Sequence, residues 1–169
     1  LAVSGLLVPE IGGPSVKPFQ PPGYYRHLNF PRRVYKKDTG DTQWRRGLYV
    51  HWQRQFLHPM MKAFDAPSRE ECTTQRPQSN TPLAALVLLN DPTFIEAAKA
   101  FTHRIIKNGG TSASERLDYA FKESISRSPD KFESETLIAL LDDPQTTEPE
   151  SWTPIARAIL NLAETNLRR

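Results

Sequence analysis

Asp91-Pro92-Thr93-Phe94-Ile95-Glu96-Ala97-Ala98-Lys99-Ala100-Phe101-Thr102-His103-Arg104-Ile105 decides the fold class. Phe94, Ala97, Ala98, Phe101 and Ile105 recur at helical spacing, so one face is apolar and the other carries the charges. Asp91-Pro92 opens this helix, because proline is tolerated where its missing N–H would have no intrahelical partner. Gly109-Gly110 stops it. Downstream, Ser112 and Glu115 have the spacing of a capping box, followed by an inner stripe of Leu117, Phe121 and Ile125. Ser128-Pro129-Asp130 opens a further helix carrying Phe132, Leu137, Leu140 and Leu141. Asp143-Pro144 to Glu150 reads as a polar loop. Thr153-Pro154 starts the last helix, with Ile155, Ile159, Leu162 and Leu167 facing inward.

Upstream, Thr81-Pro82 opens a helix whose run Leu83–Leu89 is apolar all round, which predicts the buried centre of the domain. Gln43–Leu57 is expected to be helical, with Leu48, Trp52 and Phe56 on one face, Arg45, Arg46 and Arg54 largely off it, and Pro59 ending it. Met60–Asn80 is a loop. Fifteen prolines against eight glycines is a high ratio for a helical protein. Many fall in residues 9–41, where Phe19, Tyr24, Tyr25, Phe30 and Tyr35 are interleaved with them. This segment reads as an extended strap anchored by rings, with Ser15-Val16-Lys17 able to pair as a short strand. Leu1–Val8 has no cap and reads as a helix joined partway along. The expectation is all-α: a compact bundle of about six helices over 42–169 with a proline-rich, aromatic N-terminal strap over 1–41. Residues 1–169 then form a single helical domain or the C-terminal part of one.

Charge is uneven. Lys17–Lys62 holds ten Lys/Arg and two acids, a local net of +8; Ala63–Arg169 holds twelve Lys/Arg and sixteen acids, a net of −4. The basic half points either to packing against the acidic half or to an acidic protein or glycan partner. Nucleic acid is disfavoured, because no recognised binding motif accompanies the charge. The longest apolar run is far short of a transmembrane helix.

Reactive side chains are densest in one loop: Asp65, Ser68, Arg69, Glu70, Glu71, Cys72, Arg76 and Asn80. The favoured reading is structural, with Asp65–Arg69 or Glu70–Arg76 closing the loop and Asn80 or Thr81 capping the following helix. The functional reading is a polar or anion pocket at that helix N-terminus, with Arg69, Arg76 and Asn80 as ligands. Cys72 as a nucleophile would need His51 or His58 as its base, and neither lies at a diagnostic spacing. Four scattered histidines and one cysteine form no metal motif, so neither a metal nor a cofactor is assigned to this chain. Gly12-Gly13-Pro14 is no phosphate cradle, since proline removes a donor.

Several blocks in order also carry a family resemblance: Ser4-Gly5-Leu6-Leu7, Gly12-Gly13-Pro14-Ser15-Val16-Lys17-Pro18-Phe19-Gln20-Pro21-Pro22-Gly23, Arg45-Arg46-Gly47-Leu48-Tyr49, Phe64-Asp65-Ala66-Pro67-Ser68-Arg69-Glu70, Asn80-Thr81-Pro82-Leu83, Ser126-Arg127-Ser128-Pro129 and Ala158-Ile159-Leu160-Asn161-Leu162. Together they resemble the C-terminal domain of unknown function of large, planctomycete-type secreted bacterial proteins. Such proteins also carry a c-type cytochrome domain and a second uncharacterised domain. The resemblance implies an extracytoplasmic setting, a parent whose N-terminal part lies outside this chain, other parent domains as partners, and c-type haem elsewhere in that parent. It implies no catalytic residues. Three roles follow: binding or assembly, which is preferred; a carbohydrate-active or other hydrolytic enzyme using the Asp65–Arg76 loop; or an electron-transfer docking surface.

Overall fold

The computed structural model describes residues 1–26, 33–53, 56–68, 70–75, 77, 79 and 81–166. Among them are seven α-helices and no strand longer than an isolated bridge, so the fold is all-α as expected. The helices are α1 (Pro59–Ala63), α2 (Pro82–Asn90), α3 (Pro92–Asn108), α4 (Ala113–Ile125), α5 (Lys131–Ile138), α6 (Pro149–Leu160) and α7 (Ala163–Asn166). The chain divides into two compact units, Leu7–Val87 and Leu1–Leu6 with Leu88–Arg169.

The second of these is a helical bundle. α3 packs on α6 and α4, and α5 and α7 pack on α4. Phe101, Ile105, Phe121, Trp152, Ile155 and Ile159 are fully buried in its centre. Ala97, Ala98, Ala120 and Ala156 are buried with them, and their small side chains let the helix backbones approach closely. Each large side chain removed from water contributes roughly 1.5–3 kcal/mol. The helix boundaries follow the capping chemistry. Asp91 accepts from the Thr93 N–H at 2.8 Å. Reciprocal capping boxes join Ser112 to Glu115 and Asp130 to Glu133.

Arg127 donates to both Glu133 oxygens at 2.7 Å and also reaches Glu164, and its guanidinium lies 5.3 Å from the Phe121 ring centroid. The hydrogen bonds from Arg127, reinforced by the Asp130 N–H, hold the Glu133 carboxyl at about 2. A carboxyl whose pKa is lower in the fold than in the open chain stabilises the fold above its ordinary value of 4.5, and that contribution is lost as pH falls toward 2. Glu133→Gln keeps the capping acceptor and removes the charge. It should cost about 1–2 kcal/mol at neutral pH for this partly exposed pair, with the deficit shrinking below pH 4. Urea titrations across that range read the difference directly.

Arginine also organises the bundle from inside. Arg116 is buried, donates to Gly110 O at 3.2 Å and Thr146 O at 2.8 Å, and lies 5.8 Å from the Trp152 ring. Gly109 makes room for it, because a Cβ there would come within 2.8 Å of Arg116 Cα and 2.5 Å of Ile105 O. Arg157 donates to Leu89 O, the otherwise open C-terminal end of α2.

The Leu7–Val87 unit has a smaller apolar core: Val16, Tyr25, Val50, Ala63 and Ala84. Tyr25 meets Tyr35 edge-on at 5.6 Å and Phe56 at 5.9 Å. Tyr24 donates to Leu57 O at 2.8 Å, and Tyr35 to Pro18 O at 2.6 Å. The proline-rich segment is therefore tied down by aromatic residues with polar tips, the device its composition suggested. Phe30 lies outside the described residues.

Five local expectations are corrected. Among the described residues of Gln43–Leu57 there is no α-helix: two 3-10 turns, Gly40–Trp44 and Gly47–Tyr49, are followed by isolated bridges at Val50, Gln53 and Phe56. Parallel bridges Val8–Arg45 and Val16–Val50 take the backbone groups a helix would have used, with Val16 N–H to Tyr49 O at 2.8 Å and His51 N–H to Val16 O at 2.7 Å. Ser15–Lys17 thus pairs at one residue only. Leu48 is exposed, Arg45 is buried, and Pro59 begins α1 instead of ending a helix. The second correction is α2, where only Ala84 is buried while Leu83 and Leu86 are 59% and 55% exposed; the buried centre is instead α3, α4 and α6. Third, Leu1–Leu6 is a turn, closed by Gly5 N–H to Ala2 O at 3.0 Å. Fourth, Phe132 and Leu140 are exposed: Phe132 lies in the first turn of α5, whose start is fixed by the Asp130–Glu133 box, and Leu140 lies beyond the end of that helix. Fifth, the last long helix starts at Pro149, and Pro154 sits inside it on the exposed side. Leu167 lies outside the described residues.

Candidate functional site

The polar loop leaves α1 through Asp65, which adopts the left-handed conformation at φ 55°. Aspartate tolerates this because its short side chain can bond locally. Here the carboxylate reaches across the loop instead. Its Oδ2 accepts from Ser79 N–H at 2.8 Å and Ser79 Oγ–H at 2.5 Å. At the start of the loop, Ala66 N–H is bonded to Met61 O at 3.0 Å. Ser68 Oγ accepts from the Glu70 N–H at 3.3 Å. Thr81 Oγ1 accepts from Ala84 N–H at 3.1 Å, so Thr81 caps α2. Glu70 and Cys72 are exposed, and Cys72 is a free thiol. Arg69, Arg76 and Asn80 lie outside the described residues. Ser79 had no local signal as the partner of Asp65, since a bond spanning fourteen positions leaves no periodic mark.

A second feature of the same unit is its surface charge. Among the described residues every ion pair lies in Leu88–Arg169. Among the described residues, Lys17, Arg33, Lys36, Lys37, Arg46 and Lys62 have no carboxylate in ion-pair contact, and all but half-buried Lys17 are exposed. Burial pushes the His51 imidazole below its ordinary value, and the nearby charges of Lys17 and Arg33 push the same way. That unit therefore carries a field of unneutralised positive charge.

Arg45 does not belong to that field. Its guanidinium is buried and donates to Pro14 O at 3.1 Å, Glu10 O at 3.0 Å and Gly12 O, and lies 3.9 Å from the Tyr49 ring centroid. Tyr49 in turn accepts from the Gly12 N–H at 2.9 Å. Gly12 and Gly13, at φ 86° and 83°, turn the loop so that its carbonyls converge on a cation, the reverse of a phosphate cradle. Among the described residues no three His, Cys, Asp or Glu side chains are placed to hold a metal, and no helix is long and apolar enough to cross a membrane.

Comparison with curated proteins and with solved structures gives no match. A family model does match, over residues 1–141, described as PSD1, a protein of unknown function (DUF1553). The matched span includes the polar loop, the Arg45 clamp and helices α1 to α5. This chain belongs to the PSD1 family of unknown function (DUF1553).

Proposed function

We propose that this chain is a binding and assembly module whose basic N-terminal unit engages a polyanionic partner, an acidic protein or glycan. The observation that carries the reading is the set of exposed cations, Arg33, Lys36, Lys37, Arg46 and Lys62, which meet no carboxylate among the described residues, while Lys99, Arg104, Lys122, Arg127 and Lys131 of the bundle are ion-paired. Uncompensated surface charge of one sign repels itself, and it steers and holds a partner of the other sign. Asp65 is already engaged by Ser79, which weighs against the hydrolytic reading of the loop. Other domains of an exported, haem-bearing parent are the further partners that the resemblance suggests, in an extracytoplasmic setting.

The test is titration with polyglutamate and, separately, with a sulfated glycan, so that the two arms identify the partner class. Saturable binding to one of them, weakening roughly tenfold between about 0.05 M and about 0.5 M salt, is expected. Binding to neither, or binding indifferent to salt, contradicts the proposal.

A further inference from the structure

The exposed aliphatic side chains of Leu7–Val87 fall among its cations. Val34, Ile11 and Leu48 are 87%, 83% and 74% exposed, more than any other large aliphatic side chain among the described residues. Val34 stands between exposed Arg33 and exposed Lys36 and Lys37. Leu48 follows exposed Arg46 and Gly47 in the second 3-10 turn. Ile11 is tied to the same turn. Arg45, next to Arg46, donates to Glu10 O at 3.0 Å and to Gly12 O, and Tyr49, next to Leu48, accepts from the Gly12 N–H at 2.9 Å. Each of the two cationic stretches therefore carries its own apolar point.

A single exposed leucine or valine is ordinary on a protein surface. These three differ in standing on backbone that is already fixed. Tyr35, beside Val34, donates to Pro18 O at 2.6 Å, and Asp38 N–H donates to Lys17 O at 2.9 Å. The buried Arg45 guanidinium holds the loop of Ile11. A partner buries side chains on ordered backbone at a smaller loss of chain freedom. A glycan or a uniformly charged polymer neutralises the cations and leaves all three apolar side chains in water. A protein segment that bears both carboxylates and apolar side chains answers both. An anionic bilayer also offers both, but exposed Glu10, directly beside Ile11, would be pressed against charge of its own sign.

We propose that the partner of this unit is an acidic protein segment carrying apolar side chains. Ile11, Val34 and Leu48 receive those side chains, while Arg33, Lys36, Lys37 and Arg46 meet the carboxylates. The inference rests on the polyanion reading of the same surface and narrows it from acidic protein or glycan to the first of the two. Charge brings the segment in, and apolar contact selects which acidic segment stays.

The probes are two glutamate-rich peptides of equal length and charge, one with leucine and one with serine at every fourth position. They are titrated into the full chain alongside chondroitin sulfate and vesicles of phosphatidylglycerol. The leucine peptide is expected to bind roughly tenfold tighter than the serine peptide. Ile11→Ser/Val34→Ser/Leu48→Ser should bind the two peptides alike. All three positions are exposed, so the denaturation midpoint should barely move. Leu48→Ser alone should lose part of the preference, and it keeps the test open if the triple change unfolds the unit. Equal binding of the two peptides by the unsubstituted chain, or a leucine preference that survives in the variants, would overturn the inference and leave the electrostatic reading standing. Tightest binding to chondroitin sulfate or to the vesicles would overturn it in favour of a glycan or a membrane. No salt-sensitive binding to any of the probes would overturn both.

Discussion

Trp152→Ala should cost the bundle about 3–5 kcal/mol, the range for removing a fully buried aromatic side chain. Trp152 has no exposed surface, and its indole N–H donates to Thr146 O at 3.0 Å. The same carbonyl accepts from Arg116, so truncation also loosens the contact that fixes the loop before α6. A domain of this size is stabilised by about 5–15 kcal/mol, so the loss removes a large share of that margin. Trp44 and Trp52 lie in the other unit and remain as fluorescence reporters there, while far-UV circular dichroism follows the helices. The expected result is a denaturation midpoint shifted far down for the helical signal. Trp152→Phe should recover most of it, because it restores the ring and loses only the N–H. A loss below 1 kcal/mol for the alanine variant would mean that Trp152 is not the centre of the core.

Arg45→Ala should be the most damaging change in the Leu7–Val87 unit, at about 3 kcal/mol or more. Three carbonyls, of Glu10, Gly12 and Pro14, converge on one buried guanidinium. Hydrogen bonds to a charged group contribute about 1.5–3 kcal/mol each, and the acceptors left behind lose their partner without regaining full access to water. Stacking on Tyr49 adds a further term. Lysine should not rescue the fold, because an ammonium on a flexible stem cannot reproduce the planar fork or its contact with the ring. Neighbouring Trp44 reports the change by fluorescence. Equal stability of Arg45→Lys and the parent chain would contradict this account of the clamp.

These two positions also mark how much of the fold was legible. Ile155 and Ile159 sit on a helical period, although Trp152 falls before the helix start read from Thr153-Pro154, and the Ser112–Glu115 capping box is written in residues three apart. The sequence therefore speaks clearly about α3, α4 and the start of α5. Arg45 shows the opposite case. Periodicity assigns an arginine to the solvent side of a helix, and nothing local says that its side chain will turn toward carbonyls more than thirty residues away. The Val16–Val50 bridge is equally non-local, and it is what removes the expected helix over Gln43–Leu57. In α2 the failure has another cause. A helix that is apolar on every side has no preferred face, so its burial cannot be read from its composition. For the polar loop, the expected pairs Asp65–Arg69 and Glu70–Arg76 and the candidate ligand Asn80 involve residues outside the described ones, and the bond of Asp65 to Ser79 had no sequence signal.

The proposed function rests on the exposed cations of Leu7–Val87, and the variant Arg33→Gln/Lys36→Gln/Lys37→Gln/Arg46→Gln tests them. All four positions are exposed and make no ion pair among the described residues, so the exchange should leave the denaturation midpoint almost unchanged. The decisive measurement is the affinity of this variant, at low salt, for whichever polyanion the parent chain binds. A loss of roughly tenfold or more, with a flatter salt dependence, is the predicted result. Undiminished affinity in a stably folded variant would contradict the claim that these cations are the binding surface.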